Sequence, residues 1–125
     1  MALDHQHFMA IALELSREAD RQGNRPLGSL LVAAGRCRWR DTCPGGNEVY
    51  SEFDPTAHGE IVVIRKAARR LKSIDLSGCT LYTAMEPCPM CCWAILEAKA
   101  STLVLGERRM VEIGSRTAAP TARVL

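Results

Sequence analysis

Two short segments constrain this chain more than any other feature: Ala57-His-Gly-Glu60 and Pro87-Cys-Pro-Met-Cys91. Together they supply one imidazole, two thiols and one carboxylate, on His58, Cys88, Cys91 and Glu60. Imidazole and thiolate are the donors that zinc takes, and three protein ligands leave one tetrahedral position open, the mark of a catalytic rather than a structural zinc. His58 and Glu60 are two positions apart, so in mid-helix they would point to nearly opposite faces. They can share a site only over the tip of a helix, in its first turn. Cys88 and Cys91 are three apart at the start of another helix, where one turn brings both sulfurs together. Two helix N-termini then converge on one metal, and their positive ends favour thiolate over thiol.

Two other uses of these residues compete. A structural zinc needs a fourth ligand, for which Cys92 and Cys79 are the nearby candidates. Cys92, however, points about 100° around the helix from Cys91. A redox pair made of Cys88 and Cys91 leaves His58 and Glu60 without a role.

The remaining sequence reads as one compact domain, 1–125, with a modest core: 125 residues, 47% hydrophobic and 24% charged. A net charge of +2 is too mild to imply a nucleic-acid partner by itself. The six cysteines suit a disulfide scaffold only in an oxidising compartment. The N-terminus shows neither the basic nor the apolar region of a secretory signal, and no apolar run approaches membrane-spanning length, so the expected location is cytoplasmic.

Phe8, Ile11, Ala12, Leu15 and Ala19 recur at helical spacing and predict an amphipathic helix from Asp4 to Gln22, stopped at Gly23. His5 and His7 at its start read as solvated in preference to metal-binding. Leu27–Ala34 is an apolar run that predicts a buried strand. Arg36–Arg40 alternates and predicts a second, with Cys37 and Trp39 inward; the competing reading is a basic, aromatic nucleic-acid patch. Cys43–Gly46 reads as a loop. Thr56 is placed to cap a helix from Ala57 to about Leu71, with Ile61, Ile64, Ala68 and Leu71 inward. Its other face carries Arg65, Lys66, Arg69, Arg70 and Lys72, read as solvated, with RNA phosphate contact as the rival. Thr80–Ala84 predicts a strand, Cys88 to Lys99 a helix with Pro89 in its first turn, and Thr102–Leu105 a strand ended by Gly106. Strands alternating with helices predict a three-layer α/β/α domain with helices on both faces of a sheet.

Asp54-Pro-Thr-Ala-His-Gly-Glu60, Leu81-Tyr-Thr-Ala-Met-Glu-Pro-Cys-Pro-Met-Cys91 and Leu103-Val-Leu-Gly106 resemble the cytidine deaminase superfamily. H-x-E followed by P-C-x-x-C is a known signature of zinc nucleobase deaminases. The branch it resembles contains bacterial guanine deaminases, fungal-type cytosine deaminases and tRNA adenosine deaminases. The resemblance is dense over Arg25–Ala34 and Asn47–Arg108. It implies a mixed, about five-stranded sheet, one zinc per chain on His58, Cys88 and Cys91, and usually a homodimer. It also implies that Asn47 hydrogen-bonds the base, that Leu27 lines the pocket, and that backbone around Gly59, Glu86 and Cys88 touches substrate. Gly59 stands where tRNA and guanine deaminases usually carry alanine and matches the fungal-type enzymes. Gly35–Gly46 departs from the usual hairpin pattern, and the tail after about 108 lacks the apolar periodicity of a final helix; relatives use these regions to close the pocket and select substrate.

The expected chemistry follows. A zinc held by three ligands brings a bound water to a pKa of roughly 7. Glu60 takes that water's proton, passes it to a ring nitrogen and protonates the departing amine. The expected function is hydrolytic deamination of a free nucleobase or related small amino-heterocycle, cytosine- or guanine-like, with release of ammonia. The alternatives are a tRNA adenosine deaminase and a non-catalytic zinc-binding scaffold.

Overall fold

Strand alternation sets the layering. Leu31 and Ala33 of β1 (Gly28–Ala33), Leu81 and Cys79 of β3 (Cys79–Met85) and Leu103 of β4 (Thr102–Glu107) point to one face of the sheet. Leu30, Val32, Tyr82 and Val104 from the same strands point to the other. Each face is apolar, so each needs a cover. Helix α1 (His5–Arg21) lays Ala12, with Phe8, Met9, Ile11 and Leu15, on the second face. Helices α2 (Gly59–Leu71) and α3 (Pro89–Ala98) bring Val63, Ala67, Ile95 and Ala98 to the first. Full burial of one leucine side chain contributes about 1.5–3 kcal/mol. Leu30, Leu31 and Leu81 are each at most 1% exposed. This computed structural model describes residues 4–33, 42–107 and the backbone of 123–124.

The sheet has five strands in the order β2-β1-β3-β4-β5, with β2 at Thr42–Gly46 and β5 at Arg123–Val124. β1 runs antiparallel to β2 and β3, whereas β3, β4 and β5 are parallel. This is the expected mixed sheet between helices. The parallel step from β3 to β4 is made through α3, as a parallel crossover requires.

Four local expectations are corrected. Cys43–Gly46 is not a loop but part of β2, paired to β1 with Pro44 opposite Leu30. An edge strand tolerates proline because its outward side lacks a ladder, and Gly45 is needed where a Cβ would stand 2.8 Å from Val63 Cγ1. Gly106 does not end β4 but lies inside it, because a Cβ there would sit 2.6 Å from the Ala84 carbonyl oxygen. Thr56 is not the cap of α2. Its amide and hydroxyl are both bound by Asp54 Oδ1, and the helix begins at Gly59 with His58 as N-cap. His5 is not merely solvated, since its Nδ1 lies 2.8 Å from the hydroxyl of buried Tyr82. The expected strand at Arg36–Arg40, its nucleic-acid alternative, and the tail apart from β5 lie outside the described residues. No described helix is long and apolar enough to cross a membrane.

Candidate metal and catalytic site

The site forms where two helices begin. His58 is the N-cap of α2 and Cys88 the N-cap of α3, and neither side chain spends itself on a capping hydrogen bond. Both are therefore free to turn toward each other. Pro89 opens α3 with its φ already helical and without an N–H to satisfy. One turn on, Cys91 is completely buried. His58 Nδ1 lies 3.5 Å from Cys88 Sγ and 3.5 Å from Cys91 Sγ. One ligand atom from each residue falls within 4.8 Å of the others, and this is the metal-capable triad of the described residues.

The donor set fits zinc. One nitrogen and two sulfurs at these separations can contract onto a single ion with Zn–N of about 2.0 Å and Zn–S of about 2.3 Å, leaving one position free. Burial, and then the neighbouring Glu60 and Cys88, push the Cys91 thiol far above the ordinary cysteine range. Without a cation the sulfur accordingly keeps its proton and donates it to Glu60 Oε2 at 3.3 Å. The positive charge of a divalent ion would offset these effects and take the proton's place. Cys92 is not a fourth ligand: its sulfur contacts the Pro87 carbonyl. Cys79 lies in the core among Leu76, Leu81 and Ala98.

Glu60 sits in the first turn of α2, 8% exposed, beside the positive end of the helix. Its Oε2 faces Cys91 and its Oε1 accepts a 2.6 Å hydrogen bond from Thr83 on β3. The two-residue spacing puts the histidine at the cap of α2 and the acid in its first turn. Sequence reasoning did not identify Thr83. Its signal was a polar residue in a strand buried along almost its whole length, a signal that Thr80 in the same strand shares.

Asn47, expected at the base, is 1% exposed. Its backbone N–H donates to the Leu27 carbonyl at 2.9 Å, and its side-chain Oδ1 accepts from Val49 N at 3.1 Å. That bond fixes which end of the side-chain amide is oxygen. The remaining Nδ2 is the one buried polar side-chain atom of the described residues without a partner. Buried donors are nearly always satisfied, so this one marks a place for a bound group. Leu27 is half-buried, and its carbonyl oxygen also lies 3.2 Å from where a Cβ on Gly59 would stand. Leu27, Asn47 and Gly59 are therefore contiguous and reach Glu60 through the chain. Glu86 is 5% exposed, and its N–H is tied to the Glu107 carbonyl at 2.7 Å, which sets the approach of Pro87 and Cys88.

The loop before α2 is pinned from two sides. Asp54 holds Thr56 and pairs with Arg65 at 3.4 Å; the Thr56 hydrogen bonds, and then the guanidinium, keep its carboxyl below the usual carboxylate range. Asn24 Oδ1 accepts from both Tyr50 N and Ser51 N.

Comparison with known proteins agrees with this geometry. Residues 3–107 match the family described as the cytidine and deoxycytidylate deaminase zinc-binding region. The tRNA-specific adenosine deaminase of Buchnera aphidicola subsp. Schizaphis graminum is 38% identical over 100 residues, covering 80% of this chain and 64% of the relative. The guanine deaminase of Bacillus subtilis is 39% identical over 98 residues, covering 78% and 60%. The chain thus spans less than two thirds of the length of these curated relatives. A solved structure from work on A-to-I editing by tRNA:A34 deaminases at the wobble position superposes with a TM-score of 0.83 at 35% identity, covering 96% of this chain and 91% of that one. The Bacillus subtilis guanine deaminase structure gives 0.75 at 37% identity, covering 85% and 66%. Since the matched region takes in both helix-tip segments and the strands behind them, this chain belongs to the zinc-binding cytidine and deoxycytidylate deaminase family.

Proposed function

We propose that the chain is a hydrolytic zinc deaminase acting on adenosine in tRNA. The observation that carries the chemistry is a buried carboxylate, Glu60, beside a His–Cys–Cys triad, with the unpartnered Asn47 Nδ2 close by in the chain fold. Bound zinc supplies the Lewis acidity that makes water a nucleophile at neutral pH. His58, Cys88 and Cys91 hold it. Asn47 Nδ2 donates to the base and orients it. Glu60 would take one proton of the attacking water and give it to the ring nitrogen next to the carbon bearing the amine. It would then take the second proton from the hydroxyl added to that carbon and give it to the amine, which leaves as ammonia as the C=O forms. Water and an amino-purine thus become an oxo-purine and ammonia.

For the substrate, the sequence reading ranked a free base above tRNA. The relatives favour the alternative: tRNA-specific adenosine deaminases from Buchnera and from Haemophilus influenzae are among them, as is the wobble-editing structure. A free guanine-like base is the second reading, favoured by the Bacillus subtilis guanine deaminase and by one local observation. The loop that follows Asn47 carries Glu48, Glu52 and Asp54, and the cavity they line is shared with Arg65, Lys66 and Arg69, so its charge is balanced and not the purely basic surface that RNA phosphates favour. The scaffold reading gives Glu60 nothing to do.

Zinc-loaded protein is assayed on an anticodon-arm RNA, on free guanine, cytosine and adenine, and on the nucleosides, with ammonia and inosine quantified. Inosine in the RNA with no turnover of free bases supports the first reading, and the reverse supports the second. Glu60→Gln is expected to keep its zinc and lose roughly 10²- to 10⁴-fold in turnover. Near-normal activity in that variant overturns the mechanism.

A further inference from the structure

A buried hydroxyl chain runs from the sheet to Glu60. Ser29 on β1 and Thr83 on β3 face each other in the antiparallel register, each 1% exposed. Ser29 Oγ donates to Thr83 Oγ1 at 3.2 Å. Thr83 Oγ1 stands 2.6 Å from Glu60 Oε1 and 3.2 Å from the Met85 carbonyl oxygen. A hydroxyl has one hydrogen and two lone pairs. With Ser29 donating to one lone pair, Thr83 gives its own hydrogen to Glu60 Oε1, and the Met85 carbonyl is a second acceptor within reach. Thr83 is therefore a donor to Oε1 that keeps its own proton, while Oε2 is left to face Cys91.

The two carboxylate oxygens have separate duties. Oε1 is anchored on Thr83, and Oε2 is turned toward Cys91 and so toward the metal. A glutamate has three rotatable side-chain bonds; anchoring one oxygen on a buried strand fixes where the other points.

Gly59 belongs to the same device. A Cβ at this position would stand 3.0 Å from Ser29 Oγ and 3.2 Å from the Leu27 carbonyl oxygen. Glycine leaves Ser29 the room in which it reaches Thr83.

We propose that Thr83, backed by Ser29 and given space by Gly59, is a positioning residue that aims Glu60 at the reacting centre. The proposal rests on the reading of Glu60 as proton carrier, and its test separates the two. Thr83→Val removes the hydroxyl at constant shape, and Thr83→Ser retains it; both are prepared with zinc bound, at one ion per chain. In crystal structures the Glu60 carboxylate of Thr83→Val is expected in a different or split rotamer, and that of Thr83→Ser in the parent position. On whichever substrate the parent turns over, Thr83→Val is expected to lower kcat about 10- to 100-fold with KM within about twofold, and Thr83→Ser to restore kcat to within about threefold. If Thr83→Val does not fold, Thr83→Ala deletes the same hydroxyl and takes its place. A parent-like Glu60 rotamer in the hydroxyl-free variant overturns the proposal, whatever the activity. A parent protein that deaminates nothing overturns the functional reading, while the rotamer comparison still decides the role of Thr83.

Discussion

Cys91 shows how much a single residue's surroundings decide. Its thiol is completely buried, next to a carboxylate and a second sulfur, and every one of these neighbours opposes a bare thiolate. The protonated form is therefore favoured through the neutral range, and metal uptake must expel at least that proton. The sign is clear: raising the pH removes the competing proton, so zinc affinity rises with pH. Competition against a chelator of known affinity between pH 6 and 8 is expected to show Kd for zinc falling about tenfold per pH unit for each proton released. A pH-independent Kd would mean that Cys91 already sits as thiolate. His58→Ala and Cys88→Ser, which each delete a ligand, are expected to leave the isolated protein with well under one zinc per chain, read by atomic absorption.

At the scale of elements, the tips of α2 and α3 matter more than their lengths. The His-x-Glu spacing made the first turn of α2 legible as the site, because no other part of a helix brings residues two apart together. The exact start was not legible. Thr56 has the chemistry of a cap, but Asp54, two residues earlier, competes for its hydroxyl and amide and wins. Cys43–Gly46 misled for a related reason. Proline and two glycines signal a turn locally, and only tertiary contact reveals that an edge position accepts the proline and that the valines of α2 require a glycine. Thr83 escaped notice because a threonine in a strand is ordinary until its partner is known. A double-mutant cycle tests this tertiary layer directly. Gly59→Ala alone is expected to lower stability by about 1–3 kcal/mol through crowding of Ser29. In a Ser29→Ala background the same change is expected to cost less than about 1 kcal/mol, measured by urea unfolding; additive effects would mean that the two residues do not share space.

At the scale of the molecule, the metal is a cross-link. α2 and α3 lie on the same face of the sheet but are separated in the chain by β3, and His58 and Cys91 join their first turns. Zinc at a hundred to a thousand times its Kd adds about 2.7–4.1 kcal/mol to folding stability. For a domain of this size, removing it with a chelator is expected to lower Tm by about 10 °C, as followed by differential scanning calorimetry, and re-addition of zinc should restore it. An unchanged Tm would place the ion outside the folded site.

The basic face of α2 has another consequence. Arg70 donates to the Thr42 carbonyl at 2.7 Å and Lys66 to the Pro44 carbonyl at 3.4 Å, so two of its cations close off the outer rim of β2. Pro44 itself brings no N–H to this edge strand. The positive charge loaded onto this helix therefore also serves as stitching, fastening α2 to the strand at the border of the sheet.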